Sequence, residues 1–283
     1  MASAFFQVEG YENACVREKQ SILMNRCSCG ECFLSRRCEV ILEPDLSLYT
    51  CGYDGFPMKR ENYIKVHLKD IAVLPPIDLV KTKFRAIHPG TGTGLMSDED
   101  YRRLSYVYSS IKHFASVLDI GVGAGQFVNS LAVSGRFERV CGIDITKHSN
   151  YERFTDSYEL KTQNVADMPF DDGEFDVVVC MEVLEHLESE TLVKALSEIR
   201  RVCRKQLLVT VPFNERVLPK YHCMRFTDED VAHLFPDAHC RLLLRNPERK
   251  LLRALRRPLP TPWLLIEENY SRTIPNACKA RRE

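Results

Sequence analysis

Long apolar runs are missing from this chain. None approaches the ~20 residues that a membrane-crossing helix requires, so no spanning segment is expected. An excess of charge of one sign is missing too. The 39 Lys and Arg balance 39 Asp and Glu, which argues against a whole-protein bias toward nucleic acid or anionic lipid. The opening "MASAFFQVEGYENACVREKQ" lacks a basic stretch leading into a long apolar one. It does not read as a secretory signal, and a cytoplasmic location is expected. Internal repeats and low-complexity tracts are likewise absent, which sets aside repeat arrays and compositionally biased linkers.

The composition itself is that of a globular protein with a proper core. It is 45% apolar and 28% charged over 283 residues, long enough for one large domain or for one domain plus a smaller attachment. The 12 cysteines are unevenly placed, and six of them (Cys15, Cys27, Cys29, Cys32, Cys38 and Cys51) fall in the first 51 residues. Cys141 and Cys180 sit inside apolar runs, where a cysteine acts as a small hydrophobe. In "NRCSCGECFLSRRCEV", Cys27, Cys29, Cys32 and Cys38 are spaced C-x-C-x2-C-x5-C, and Gly30 permits a tight turn. Four thiolates this close can complete a tetrahedral structural zinc site. An iron–sulfur cluster and unligated or redox-active thiols are the alternatives.

Three zones differ in character. Residues 1–95 are cysteine-rich and irregular and close on the turn-forming "HPGTGTG". Strand-like and helix-like runs then alternate, most regularly from about 97 to 245, which argues for a parallel α/β sheet. The strand candidates are "SVLDIG", "RVCGIDI", "YELKTQNV", "FDVVVCM" and "KQLLVTVP", whose near-continuous apolar character suits strands covered on both faces. "QFVNSLAVSG" and "ETLVKALSEIRRVC" have helical spacing, and Thr227 with Asp230 forms a capping-box pattern before "DVAHLF". Tyr101, Arg102, Arg103, Tyr106 and Tyr108 fall on a further helix that either lids a site or packs its tyrosines into the core. "NPERKLLRALRR" reads as a basic helix ended by Pro258, and "PWLLIEENY" as a last strand. The ordered alternation therefore extends over 96–270, with 271–283 a basic tail.

The chemistry concentrates in the middle zone. "LDIGVGAGQF" places Gly121, Gly123 and Gly125 after a strand, where the chain can turn tightly and bring backbone N–H groups against a ligand. A dinucleotide fingerprint needs glycine at 126, but Gln126 stands there. Asp119, two residues before the first glycine, would repel a pyrophosphate and attract an ammonium. Taken in order, "LDIGVGAG", "GIDI" and "NVADMPFDDGEFDVVVCMEVLEHL" resemble the class I S-adenosylmethionine-dependent methyltransferases over roughly residues 100–245. The resemblance implies a doubly wound, Rossmann-like methyltransferase sheet, mostly parallel with an antiparallel C-terminal hairpin. The small cysteine-rich module of residues 1–95 would precede it. It also implies that Asp119 and the glycine loop hold the methionyl part of S-adenosyl-L-methionine and that Asp144 holds the ribose hydroxyls. Asp167 would face the adenine amino group with Met168 beside it.

"CMEVLEHL" carries Glu182, Glu185 and His186. A helix beginning just after Cys180 would put all three on one face at the mouth where the transferable methyl points. With His222 from a later loop, the set resembles the metal-dependent O-methyltransferases with an E-x-x-E-H helix start, including small-RNA 3′-terminal 2′-O-methyltransferases and ubiquinone-pathway enzymes. That resemblance implies a divalent cation (Mg, Mn or Zn) held by Glu182, Glu185, His186 and His222. The alternative is metal-free, with Glu182 touching the cofactor and His186 or His222 as general base. The expected acceptor is a hydroxyl of a small molecule or sugar-like metabolite. An RNA 3′ end is a second possibility, favoured by the tail arginines and disfavoured by overall neutrality. A non-catalytic cofactor-binding regulator is a third, against which the intact Asp119, Asp144 and Asp167 set weighs. Thiol capture of a soft substrate by Cys180 and Cys223 ranks below these.

Overall fold

The computed structural model describes residues 63–89, 96–245 and 260–271. Cys27, Cys29, Cys32 and Cys38, and the basic helix expected over 246–257, lie outside the described residues. In chain order the first elements are β1 (Ile64–His67), α1 (Pro75–Ile87), α2 (Asp98–Ser110), β2 (Ser116–Ile120) and α3 (Gln126–Val133). There follow β3 (Arg139–Asp144), β4 (Glu159–Thr162), β5 (Phe175–Met181), α4 (Ser189–Val202) and β6 (Cys203–Pro212). The last are α5 (Asp228–Leu234), β7 (His239–Leu244) and β8 (Trp263–Asn269).

The strands form one sheet in the order β1-β7-β8-β6-β5-β2-β3-β4. Every neighbouring pair is parallel except those made by β8, which runs antiparallel between β6 and β7. Helices must cover both faces of such a sheet, and burial shows it: β2 is buried along its whole length, and β5 from Phe175 to Cys180. Val177, Val178, Val179 and Cys180 are fully enclosed, each valine contributing about 1.5–3 kcal/mol of apolar burial.

All five strand-like runs form strands, although "YELKTQNV" pairs only over Glu159–Thr162. The strand in "PWLLIEENY" completes the antiparallel pairing expected of it. Thr227 and Asp230 form the anticipated capping box, with the Asp230 N–H donating to Thr227 Oγ1 at 3.3 Å and the Thr227 N–H donating to Asp230 Oδ2 at 2.8 Å. A second box, Ser97 with Asp100, starts α2. Tyr101 and Tyr108 on that helix are core residues, fully or nearly fully buried.

Residues 63–89 add a strand and a helix to this same sheet and its cover, upstream of residue 96. β1 pairs in parallel with β7, and Val80 and Phe84 of α1 pack on Ala124 of the glycine loop. Neither β1 nor β7 has a clean apolar signature. β1 is a four-residue edge strand that leaves Ile64 exposed, and charge on such an edge hides it from a hydrophobic pattern while protecting it from further pairing.

Candidate active site

From β2 the chain steps to β3 and β4 on one side, then returns through β5 to β6 on the other. The reversal opens a crevice at the carboxyl ends of β2 and β5, where doubly wound sheets bind ligands. The register sets Asp119 beside Gly142 of β3 and Val179 of β5.

The glycine loop is shaped for close approach. Gly121, Gly123 and Gly125 all have positive φ (76°, 55° and 98°). A Cβ on Gly121 would lie 2.2 Å from Val183 Cγ2, and one on Gly125 only 2.7 Å from the Glu152 carbonyl oxygen. Because the second obstacle is backbone, it cannot rotate away. Gly125→Ala is therefore expected to lower stability by about 2–4 kcal/mol, seen as a lower urea midpoint with unchanged m.

Two acids meet at this loop. Asp144, at the end of β3, accepts from the Gly123 N–H at 2.8 Å, which fixes its carboxylate beside the turn. Asp119 is buried, and its Oδ2 has no hydrogen-bond partner. Burial, reinforced by the charge of Asp144, pushes the Asp119 carboxyl up to about 8. An orphaned buried carboxylate oxygen is costly unless a donor reaches it, so Asp119 fits an ammonium-bearing ligand. Asp167 is exposed, whereas Met168 is buried and its backbone is held at both ends. Its N–H donates to Glu198 Oε2 at 3.0 Å and its carbonyl accepts from Arg201 at 3.0 Å.

The segment after β5 departs from the expected helix. The strand runs to Met181, Glu182 takes a left-handed conformation (φ 56°), and a single 3-10 turn spans Leu184–His186. The α-helix begins only at Ser189. The kink separates the glutamates. The Glu182 carboxylate accepts from Arg103 Nη1 at 2.9 Å, Thr210 Oγ1 at 2.9 Å and Trp263 Nε1 at 2.7 Å. Glu182 is thus held by these three donors and, against the sequence expectation, is not among the residues whose ligand atoms converge.

Glu185, His186 and His222 do converge, each offering a ligand atom within 4.8 Å of the others. The loop after β6 is clamped onto the turn: the Cys223 N–H donates to the Glu185 carbonyl at 2.7 Å. His186 Nδ1 lies 2.8 Å from the Tyr221 carbonyl, and His222 Nδ1 lies 2.8 Å from Glu215 Oε2. The Tyr221 carbonyl and the Glu215 carboxylate are acceptors, so each Nδ1 donates to its partner, which leaves Nε2 as the ring nitrogen that could reach a ligand. Glu185 is almost wholly buried, and neither carboxylate oxygen has a hydrogen-bond partner, His186 Nε2 being 4.0 Å from Oε1. Burial, helped by the charge of Glu182, pushes its carboxyl up to about 9. Two oriented imidazoles and an unsatisfied carboxylate fit a divalent cation: the donor set suits Zn²⁺ or Mn²⁺, and anchored Nδ1 groups are the usual support of metal-binding histidines. Sequence reasoning missed Glu215 and the Tyr221 carbonyl, because only the folded loop shows what they hold.

Cys180 does not suit thiol chemistry. It is fully buried, and burial together with the charge of Glu185 raises its thiol well above the usual value. Cys223 is exposed, with Sγ 3.2 Å from the His186 carbonyl.

Comparison with known proteins bears on the domain that carries this site. Residues 118–209 match a family model described as a methyltransferase domain. An uncharacterized protein of Methanocaldococcus jannaschii is 35% identical over 118 residues, 41% of this chain and 48% of its own length. The mitochondrial ubiquinone biosynthesis O-methyltransferase of Saccharomyces cerevisiae is 34% identical over 103 residues, 32% of this chain and 30% of its own. The chain thus spans about half or less of these curated relatives. Among solved structures, a chain of the complex between the Haloferax volcanii Trm112 methyltransferase activator and the putative methyltransferase has a TM-score of 0.50 at 15% identity. That likeness covers 72% of this chain and 100% of the other, and it concerns the fold alone.

Proposed function

We propose, from the premise that this chain carries a class I S-adenosylmethionine-dependent methyltransferase domain, that it methylates a hydroxyl of a small acceptor with the help of a divalent cation. The observation that carries the second half is the buried, doubly unsatisfied carboxylate of Glu185 set among two histidines with anchored Nδ1 atoms. The donor half rests on the orphaned Asp119 oxygen and the tight glycine loop, whose three glycines all take positive φ.

In this reading Asp119 accepts from the donor's ammonium, Asp144 from its ribose hydroxyls, and Asp167 from its exocyclic amine. Ile145, directly after Asp144 and 66% exposed, offers an apolar surface to a planar ring. Glu185, His186 and His222 hold the cation. When bound there, a divalent ion would supply Lewis acidity that lowers the pKa of an acceptor hydroxyl. The residues themselves hold the reacting groups in line and exclude water from the buried side, which is most of what methyl transfer needs. The C–O bond forms as the S–C bond breaks, and the hydroxyl proton leaves to solvent at the exposed face of His186.

The rim bears on the acceptor. Val217 (81% exposed), Leu218 and Tyr221 present apolar surface from the loop that carries His222, and Tyr221 stacks on the His186 ring. An acceptor with an apolar body and a neighbouring pair of oxygens, such as a catechol, suits that combination. The similarity to a ubiquinone biosynthesis O-methyltransferase supports the same class.

The test is transfer of labelled methyl to catechol and to phenol by protein stripped with a chelator and reloaded with Zn²⁺, Mn²⁺ or Mg²⁺. Reloading is expected to raise catechol methylation at least about tenfold, with phenol a poor acceptor because it offers one oxygen. Equal turnover by stripped and reloaded protein would remove the cation from the reaction.

A further inference from the structure

One guanidinium stands beside two glutamates at this site, and it is committed to only one of them. Arg103, on α2, is almost wholly buried. Its Nη1 lies 2.9 Å from Glu182 Oε1 and 3.2 Å from Thr210 Oγ1, its Nη2 lies 3.6 Å from Asp100 Oδ1, and its plane lies 4.5 Å from the centre of the Trp263 ring. Thr210 and Trp263 complete the hydrogen bonding of Glu182, and the Glu182 N–H donates to the Thr210 carbonyl at 2.9 Å. This network holds Glu182 in a left-handed conformation (φ 56°) that a non-glycine residue seldom adopts. Immediately beyond it, Val183 fills the space over Gly121, so the turn ties the glycine loop to the Glu185–His186 pair. The charge of Arg103 also acts on Glu185, yet neither Glu185 oxygen accepts a hydrogen bond, the His186 Nε2 being 4.0 Å from Oε1.

We infer that Glu182 is a positioning residue that occupies Arg103, keeping the guanidinium off Glu185 and reserving Glu185 for a cation. The inference rests on the cation reading above. It differs from a four-ligand site: Glu182 acts through Arg103 and does not touch the ion. A buried carboxylate left without its cation seeks another, and Arg103 is the arginine whose charge acts on Glu185. Replacing Glu182 by Gln removes the charge that holds Arg103 and sets an amide N–H₂ against a donor, Thr210, Trp263 or Arg103 itself.

The experiment is calorimetric titration of the full chain with Zn²⁺ and with Mn²⁺. It compares wild type, Glu182→Gln, Arg103→Met and the double variant, with S-adenosylhomocysteine binding as the measure of an intact fold. Glu182→Gln is expected to weaken ion affinity about 10- to 100-fold while keeping the stoichiometry. The double variant is expected to recover to within about threefold of wild type, a coupling that loss of a ligand would not show. An unchanged Glu182→Gln affinity, or a double variant as weak as the single one, overturns the inference. Wild type that binds S-adenosylhomocysteine but no ion overturns the cation reading, and this inference with it.

Discussion

Asp119→Asn is expected to abolish useful binding of the methyl donor and, at the same time, to stabilise the empty protein. The two effects share a cause. Asp119 is enclosed at the end of β2 with one oxygen unsatisfied, and burial with the Asp144 charge raises its carboxyl to about 8. In the unfolded chain the same group titrates near its ordinary value of 3.8. As pH rises above about 4 the unfolded chain loses this proton while the folded one keeps it, so stability falls until the folded group also ionises near pH 8. At pH 7 the cost is on the order of 2–4 kcal/mol, the upper end being the full linkage value. Asn has no such titration. Urea unfolding of the donor-free protein at pH 5 and pH 8 should show a marked loss for wild type and a smaller one for Asp119→Asn. Donor binding should weaken by about 2–5 kcal/mol, the range for truncating one partner of a buried charged pair. A variant that binds S-adenosylhomocysteine like wild type would show that Asp119 does not meet the ammonium.

Glu185→Gln is expected to remove the divalent ion and with it methyl transfer, while leaving S-adenosylhomocysteine affinity within about twofold of wild type. The separation follows from the geometry. Glu185 belongs to the turn after β5 and faces His186 and His222, whereas the proposed donor contacts are on the glycine loop and at the end of β3. Gln keeps the volume but supplies a neutral oxygen, a weak ligand beside two imidazoles. Loss of several kcal/mol of charge stabilisation corresponds to a fall in transfer of at least about 100-fold. Calorimetry with Zn²⁺ and a labelled-methyl assay on the same preparation check both halves. Transfer that survives in a variant without ion would instead assign the proton to a histidine.

The strands and the glycine loop were readable from the chain because they depend on local signals. Val177 to Cys180 form an unbroken apolar run that only a doubly covered strand can use. Gly121 to Gly125 mark a turn that side chains would block. The site needed more. "EVLEHL" has helical spacing, and that pattern predicts Glu182 and Glu185 on one face. The pull of Arg103, Thr210 and Trp263 on Glu182 overrides it, and those residues come from α2, β6 and β8, far apart in sequence. Glu215 was invisible for the same reason: its role exists only once the loop folds back and puts it 2.8 Å from His222. The edge strand β1 escaped notice because its exposed Ile64 and Lys65 give no alternation.

The cation is the central claim, and anomalous diffraction tests it most directly. Crystals of the full chain grown with S-adenosylhomocysteine and Zn²⁺ would be measured on both sides of the zinc edge. One strong difference peak is expected roughly 2.0–2.2 Å from a Glu185 oxygen, His186 Nε2 and His222 Nε2, with Glu182 still bound to Arg103 and Trp263. A peak bound by Glu182, or no peak among these three residues, would contradict it.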